Sequence, residues 1–198
     1  MRTLLIGGAR SGKSSLAARW AGERANDVCC VVTGNASDSE MAERIAAHRR
    51  ERPAHWRTRE EPVHLAQVLA AGEEPRGPAG AAVNGQPVWL IDCLTLWVAN
   101  CLWPRSLQGL AACRAPAGAT ADLAGWRQER DAFIAALRDF RGDVILVTNE
   151  VGCGIVPDNA AARLFGDEHG WMNQAVAAVC DEVFLVAAGL PLRLKPGS

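Results

Sequence analysis

Nowhere in the 198 residues does an apolar run approach the roughly 20 needed to cross a bilayer. A membrane-spanning helix is therefore not expected. Met1-Arg2-Thr3 leads into an apolar stretch of about five residues, short of the roughly 7–15 of a secretory signal, so no export signal is expected either. Neither sign of charge dominates: 21 Lys and Arg against 22 Asp and Glu leave a formal charge of −1, with no general pull toward nucleic acid or anionic lipid. The seven cysteines include no C-x-x-C pair. Cys29 and Cys30 are adjacent, and Cys93, Cys101, Cys113, Cys153 and Cys180 are scattered through apolar segments. That pattern argues against a disulfide framework or a zinc site and for reduced, buried thiols in a cytoplasm. No internal repeat is present. The length suits one domain, residues 1–198, with a core of its own. Two Gly/Pro/Ala-rich stretches, 73–87 and 104–122, read as surface insertions in that domain.

The chain is organised around its start. Thr3-Leu4-Leu5-Ile6 runs into Gly7-Gly8-Ala9-Arg10-Ser11-Gly12-Lys13-Ser14, and Ser15-Leu16-Ala17-Ala18 follows as a helix. A strand feeding a G-x-x-x-x-G-K-S turn that opens a helix is the context of a phosphate-binding loop. Gly7 and Gly12 allow backbone conformations and close approach that a Cβ blocks. Successive N–H groups at a helix N-terminus then form a concave anion site. Lys13 supplies a charge for the β- and γ-phosphates, and Ser14 a hydroxyl for Mg²⁺. The sequence therefore predicts a nucleoside triphosphate site.

Strand and helix signals alternate along the rest of the chain, which predicts an α/β fold with helices on both faces of a mostly parallel sheet. Val28-Cys29-Cys30-Val31-Val32-Thr33 reads as a strand buried on both faces. Thr33, Gly34 and Asn35 fall near the phosphate loop if that strand neighbours the first. Ser37 and Glu40 have capping-box spacing for a helix carrying Met41, Ile45 and His48 on one face. His48 has two readings: the last member of that apolar stripe, or a neutral nucleophile kept unprotonated by Arg49, Arg50 and Arg52. The arginines likewise fit either a solvated helix end or an anion site. Residues 53–62 read as polar and turn-like, leading into a helix over about 62–72. Glu60 reads there as a helix-start carboxylate. Val88-Trp89-Leu90-Ile91-Asp92 ends a strand in an acid. Asp92 suits either the second Mg²⁺-organising carboxylate, which the phosphate loop favours, or a cap for the next helix. A helix over about 123–141, a strand over 143–148, a loop over 149–157 with Glu150, Gly152 and Gly154, a helical face through Phe165, His169, Met172 and Val176, and strands at 183–187 and 190–195 complete the pattern. His169 reads as a packing histidine.

Several of these segments carry a resemblance. G-G-A-R-S-G-K-S at 7–14, the D-x-E-M-A-x-R-I…H run over 38–48, R-P-A-H-W-R-T at 52–58 and D-C-L-T-L-W at 92–97 occur in order. T-N-E-V-G-x-G-I-V-P at 148–157, M-N-Q at 172–174 and A-G-L-P at 188–191 follow. Together they resemble the bifunctional adenosylcobinamide kinase / adenosylcobinamide-phosphate guanylyltransferase family of cobalamin biosynthesis. The resemblance implies a RecA-like phosphate-loop fold assembled as a homotrimer. It implies phosphorylation of adenosylcobinamide from ATP or GTP, and then guanylylation of an enzyme histidine by GTP. GMP passes from that histidine to the cobinamide phosphate, giving adenosylcobinamide-GDP. By the same resemblance the guanylylated residue is His48. Nucleotide contacts fall on Gly7, Gly8, Ala9, Arg10, Ser11, Gly12, Lys13 and Ser14, on Thr33, Gly34 and Asn35, on Arg49, Arg50, Glu51 and Arg52, and on Glu60 and Asp92. Ser14 and Asp92 would hold Mg²⁺.

Two departures stand out. The family often has a second histidine just before the nucleophile, where this chain has Ala47, and the 104–122 insertion is unlike a helix-rich connection. Two other functions share the phosphate loop. A GTP-binding switch reads guanine through N-K-x-D and carries D-x-x-G, but Asp92 is followed by Cys93-Leu94-Thr95, and Thr148 by Asn149-Glu150-Val151. A small-molecule kinase without a covalent intermediate differs only around His48.

Overall fold

The computed structural model describes residues 1–34, 52–72, 87–104 and 120–195. The expected helix through His48, most of both insertions, Asn35, Arg49, Arg50, Glu51 and Cys113 lie outside the described residues. Seven strands are present: β1 (Arg2–Gly7), β2 (Val28–Val32), β3 (Arg57–Glu60), β4 (Val88–Asp92), β5 (Asp143–Asn149), β6 (Glu182–Ala187) and β7 (Leu190–Lys195). The helices among the described residues are α1 (Lys13–Arg24), α2 (Leu65–Ala71), α3 (Leu94–Leu102), α4 (Leu123–Asp139) and α5 (Ala160–Val179).

The strands form one sheet in the order β3-β2-β4-β5-β1-β6-β7. Every neighbouring pair is parallel except β6–β7, an antiparallel hairpin at the edge. Inner strands buried on both faces need apolar side chains at every position, which is why 28–32 and 144–147 are unbroken apolar runs. Successive side chains alternate between the faces. Leu5, Cys30, Leu90, Ile145 and Val147 pack with Leu16, Ala17 and Ala21 of α1. Leu4, Val31, Trp89, Ile91, Val144 and Leu146 pack on the opposite side with α2, α3, α4 and α5.

That second core centres on Trp97, fully buried, with ring centroids 5.0 Å from Trp126 and 4.8 Å from Phe133. Both indoles are satisfied: Trp97 Nε1 donates to Val63 O at 2.7 Å and Trp126 Nε1 to Glu168 Oε2 at 2.9 Å. Glu168 is itself fully buried, and Arg127 bonds its other oxygen at 2.7 Å. Trp126, Phe133 and Leu137 face inward, as their helical spacing predicts.

Three expectations need correction. Residues 57–60 of the segment read as turn-like form β3, and α2 starts at Leu65. R-T-R-E carries no apolar alternation because β3 is an edge strand of exposed and half-buried side chains, held by backbone pairing of Cys29–Val32 with Arg57–Glu60. Second, β2 does not neighbour β1: β4 and β5 lie between them. Third, Cys153 is exposed. The other described cysteines are buried or half-buried, and all six are free thiols.

Candidate functional site

The loop between β1 and α1 closes on itself and on two neighbours. Ser11 N–H donates to Gly8 O at 3.2 Å, and Lys13 Nζ, with its side chain nearly buried, donates to the same oxygen at 3.0 Å. Gly12 sits at φ 89° and Arg10 at φ 57°, left-handed conformations that turn successive N–H groups toward one hollow. A Cβ on Gly7 would lie 2.4 Å from Val186 O, so only glycine fits there. The β6–β7 turn braces the loop from outside: Gly189 N–H donates to Ser11 O at 2.8 Å. No side chain caps the start of α1, which leaves its first N–H groups for an anion. Gly8, Ala9 and Arg10 are exposed at the mouth of this cradle.

The strand ends supply the rest. Asp92, last in β4, lies on the α1 face, with Oδ1 accepting from Ser14 Oγ at 3.4 Å and Oδ2 at 3.4 Å from Arg52 Nη2. Ser14, Asp92 and Arg52 are therefore one cluster beside the cradle. Thr33 is fully buried, and its polar groups are committed to structure. Its hydroxyl accepts from Cys93 N at 2.9 Å and donates to Cys93 O at 2.6 Å. Its N–H donates to Asp92 O at 3.3 Å, and its carbonyl accepts from Asn100 Nδ2 at 2.9 Å. Thr33 thus holds the Asp92–Cys93 turn. Gly34 is half-buried beyond β2, and Glu60 is exposed at the end of β3, the strand farthest from β1 on that side. Cys93 is no rival nucleophile: burial, with help from the Asp92 charge, pushes its thiol up to about 11.

A buried polar cluster under the end of β5 was legible only as separate residues. Thr148 donates to Asn173 Oδ1 at 2.8 Å, and Asn173 Nδ2 donates to Asn149 O at 3.0 Å. Asn149 N–H donates to Thr95 Oγ1 at 2.8 Å. His169 Nε2 lies 3.2 Å from Thr95 Oγ1 and 3.3 Å from Thr148 Oγ1, and Nδ1 lies 3.5 Å from Asn173 Nδ2. These partners assign the proton to Nε2, since Asn173 presents only N–H to Nδ1. The signal missed was the i, i+4 polar pair His169 and Asn173 on an otherwise apolar helix face.

Burial pulls His169 from 6.5 down to about 4. Its neutral form is favoured in the fold, so the stability it contributes is complete above pH 6.5 and is lost as pH falls toward about 4. Across that window the unfolded chain takes up a proton that the folded chain refuses, a loss of roughly 3 kcal/mol. Urea unfolding from pH 7 to pH 4 should show this slope in the wild type. His169→Gln should lack that part of it, and an unchanged slope would contradict the assignment.

A phosphate loop at the C-terminal edge of a mostly parallel sheet, with an acidic strand end two places away, defines a phosphate-loop nucleotide-binding protein of RecA-like fold. An ATPase from the type III secretion system of pathogenic bacteria shares that fold: TM-score 0.51, 11% identity, covering 97% of this chain and 56% of that one. More narrowly, the chain belongs to the cobinamide kinase / cobinamide phosphate guanyltransferase family, which matches residues 3–194. It is 43% identical over 198 residues to the bifunctional adenosylcobalamin biosynthesis protein CobP of Pseudomonas aeruginosa, covering 98% of each chain. It is 36% identical over 204 residues to the bifunctional adenosylcobalamin biosynthesis protein CobU of Escherichia coli, covering 98% of this chain and 100% of that one. The sequence resemblance and the fold expectation are both borne out.

Proposed function

We propose that this chain, as one catalytic domain, phosphorylates adenosylcobinamide from ATP or GTP and then transfers GMP from GTP to the product through a guanylylated His48. The observation that carries this reading is the convergence of Ser14, Asp92 and Arg52 beside the phosphate loop. Arg52 is four residues from His48, and four extended residues span at most about 14 Å. His48 thus lies within that span of chain from Arg52, which supports its assignment to this site. A neutral imidazole attacks the α-phosphorus of GTP; the bond to the bridging oxygen breaks, and pyrophosphate leaves. Arg49, Arg50 and Arg52 balance the charge that develops. The cobinamide phosphate then displaces the histidine, so one difficult transfer becomes two easier ones.

Ser14 and Asp92 fit Mg²⁺: a hydroxyl and a carboxylate are hard oxygen donors, and the remaining positions suit water and phosphate oxygens. When bound, the ion would neutralise charge on the β- and γ-phosphates. No cluster of three or more His, Cys, Asp or Glu occurs among the described residues, so an all-protein cage is not the arrangement invoked. Thr33, Gly34, Asn35, Glu51 and Glu60 belong to the proposed nucleotide surroundings, Thr33 through the turn it holds.

We assign the protein to a homotrimer in the cytoplasm. Support for assembly comes from the outer strand, where Leu190, Leu192 and Leu194 are 72, 61 and 56% exposed, and from Ile155 at 98%. No helix among the described residues is long and apolar enough to cross a membrane, which is compatible with that location.

The test is to incubate the protein with Mg²⁺ and α-labelled GTP. The expected result is covalent label that survives base and is released by acid. ATP-dependent corrinoid phosphorylation with no enzyme labelling would instead favour the kinase without an intermediate.

A further inference from the structure

The end of β5 occupies a particular place. Asp92 pairs with Val147 and Gly7 with Asn149, so β5 runs two residues past the acidic strand end and finishes between Asp92 and the phosphate loop. Glu150 N–H donates to Gly7 O at 3.0 Å, which fixes the next peptide against the loop. Ile145 and Val147 face α1, so alternation puts the Asn149 side chain on that same face, with Ser14 and Asp92. Its backbone is held on both sides, N–H by Thr95 and C=O by Asn173. Its own carboxamide makes no hydrogen bond among the described residues. A half-buried polar group with a locked backbone and an uncommitted side chain, at the mouth of a phosphate site, is preorganised for a ligand.

We propose that Asn149 is a catalytic contact to the transferred phosphoryl group, and that Thr95, Thr148, His169 and Asn173 are its positioning residues. The Asn149 Nδ2 group donates to an equatorial oxygen of that phosphoryl. The bond between the terminal phosphorus and the β,γ-bridging oxygen breaks and the bond to the acceptor oxygen forms. The nucleoside diphosphate departs, and the acceptor proton passes to water. The buried cluster uses its hydrogen bonds on the Asn149 backbone and on itself. Its effect on the reaction is therefore to set where the carboxamide stands.

This inference rests on nucleotide binding at the phosphate loop and not on the identity of the acceptor, so its test omits the corrinoid. The affinity of the protein for Mg²⁺ and GDP is measured with and without aluminium fluoride, which mimics the phosphoryl group in flight. In the wild type the fluoride should tighten binding. Asn149→Ala should lose most of that gain, by about 10²-fold, while binding GDP alone as the wild type does. Thr148→Val, of similar shape but without the hydroxyl, should lose part of the gain. Thr148→Ser, which keeps the hydroxyl, should restore it. Thermal unfolding of each variant reads stability separately. Retention of the gain in Asn149→Ala, equal behaviour of Thr148→Val and Thr148→Ser, or no gain in the wild type would each overturn the proposal. Failure of the corrinoid assays alone would bear on the acceptor and leave this result standing.

Discussion

His48→Ala is expected to take no label at all from α-labelled GTP, and to keep corrinoid phosphorylation within about threefold of the wild type, since a group acting in only one of two steps changes only that step. The asymmetry follows from the chemistry. A phosphoramidate needs a ring nitrogen with a free lone pair, and alanine offers none. Phosphoryl transfer to a hydroxyl needs the phosphates held and neutralised, which in the proposed reading falls to the loop, Lys13 and a Mg²⁺ that Ser14 and Asp92 would hold. Arg49, Arg50 and Arg52, which the proposed reading sets around the phosphates, remain in the variant, and the phosphorylation rate in the same preparation reads any general loss of affinity. The measurement is label per subunit beside phosphorylated corrinoid per minute in the same preparation. Label retained in the variant would move the nucleophile elsewhere. Loss of both activities together would show that His48 shapes the nucleotide site rather than reacting.

Lys13→Ala should do the opposite and remove both activities together, each by about 10²–10³-fold, the scale for deleting one preorganised electrostatic contact in a site sheltered from water. Lys13 is 8% exposed, and its ammonium already bonds Gly8 O at 3.0 Å, so the charge is held at the loop before any phosphate arrives. The substitution removes that charge and releases the loop from one of its ties. Lys13→Arg should not rescue the activities, because a planar guanidinium cannot replace a compact ammonium inside a closed backbone turn. Nucleotide affinity by titration, both turnover rates and the unfolding temperature decide the matter. A normal rate of either reaction in Lys13→Ala would mean that this loop does not serve that step.

Much of the site was legible because its chemistry is local. G-G-A-R-S-G-K-S needs no distant partner to be read, since its glycines, lysine and serine act through one turn and the helix that follows. Asp92 could be placed as a strand-end acid because the apolar run before it has a definite length. β3 escaped notice because R-T-R-E has neither alternation nor β-branched apolar residues. An edge strand of this kind is held by the backbone of its neighbour, and backbone hydrogen bonds leave little trace in side-chain pattern. Its position after a strand puts Thr33 near the phosphate loop only if β2 neighbours β1, and β4 and β5 lie between them. The Thr33 hydroxyl proved to be committed to Cys93, a residue 60 places away.

What the amino-acid order determined by itself was the alternation of strand and helix, the phosphate loop and the family, since each depends on residues close together or on motifs in sequence. What only the folded chain decided was adjacency. β5, far along the chain, inserts between β4 and β1, separates Thr33 from the loop, and brings Asn149 between Asp92 and Gly7. Thr95, Thr148, His169 and Asn173 come from a strand and two helices and meet only because those elements pack on one face. Strand order depends on which apolar faces bury one another best over the whole sheet, a sum over distant contacts that no short stretch records.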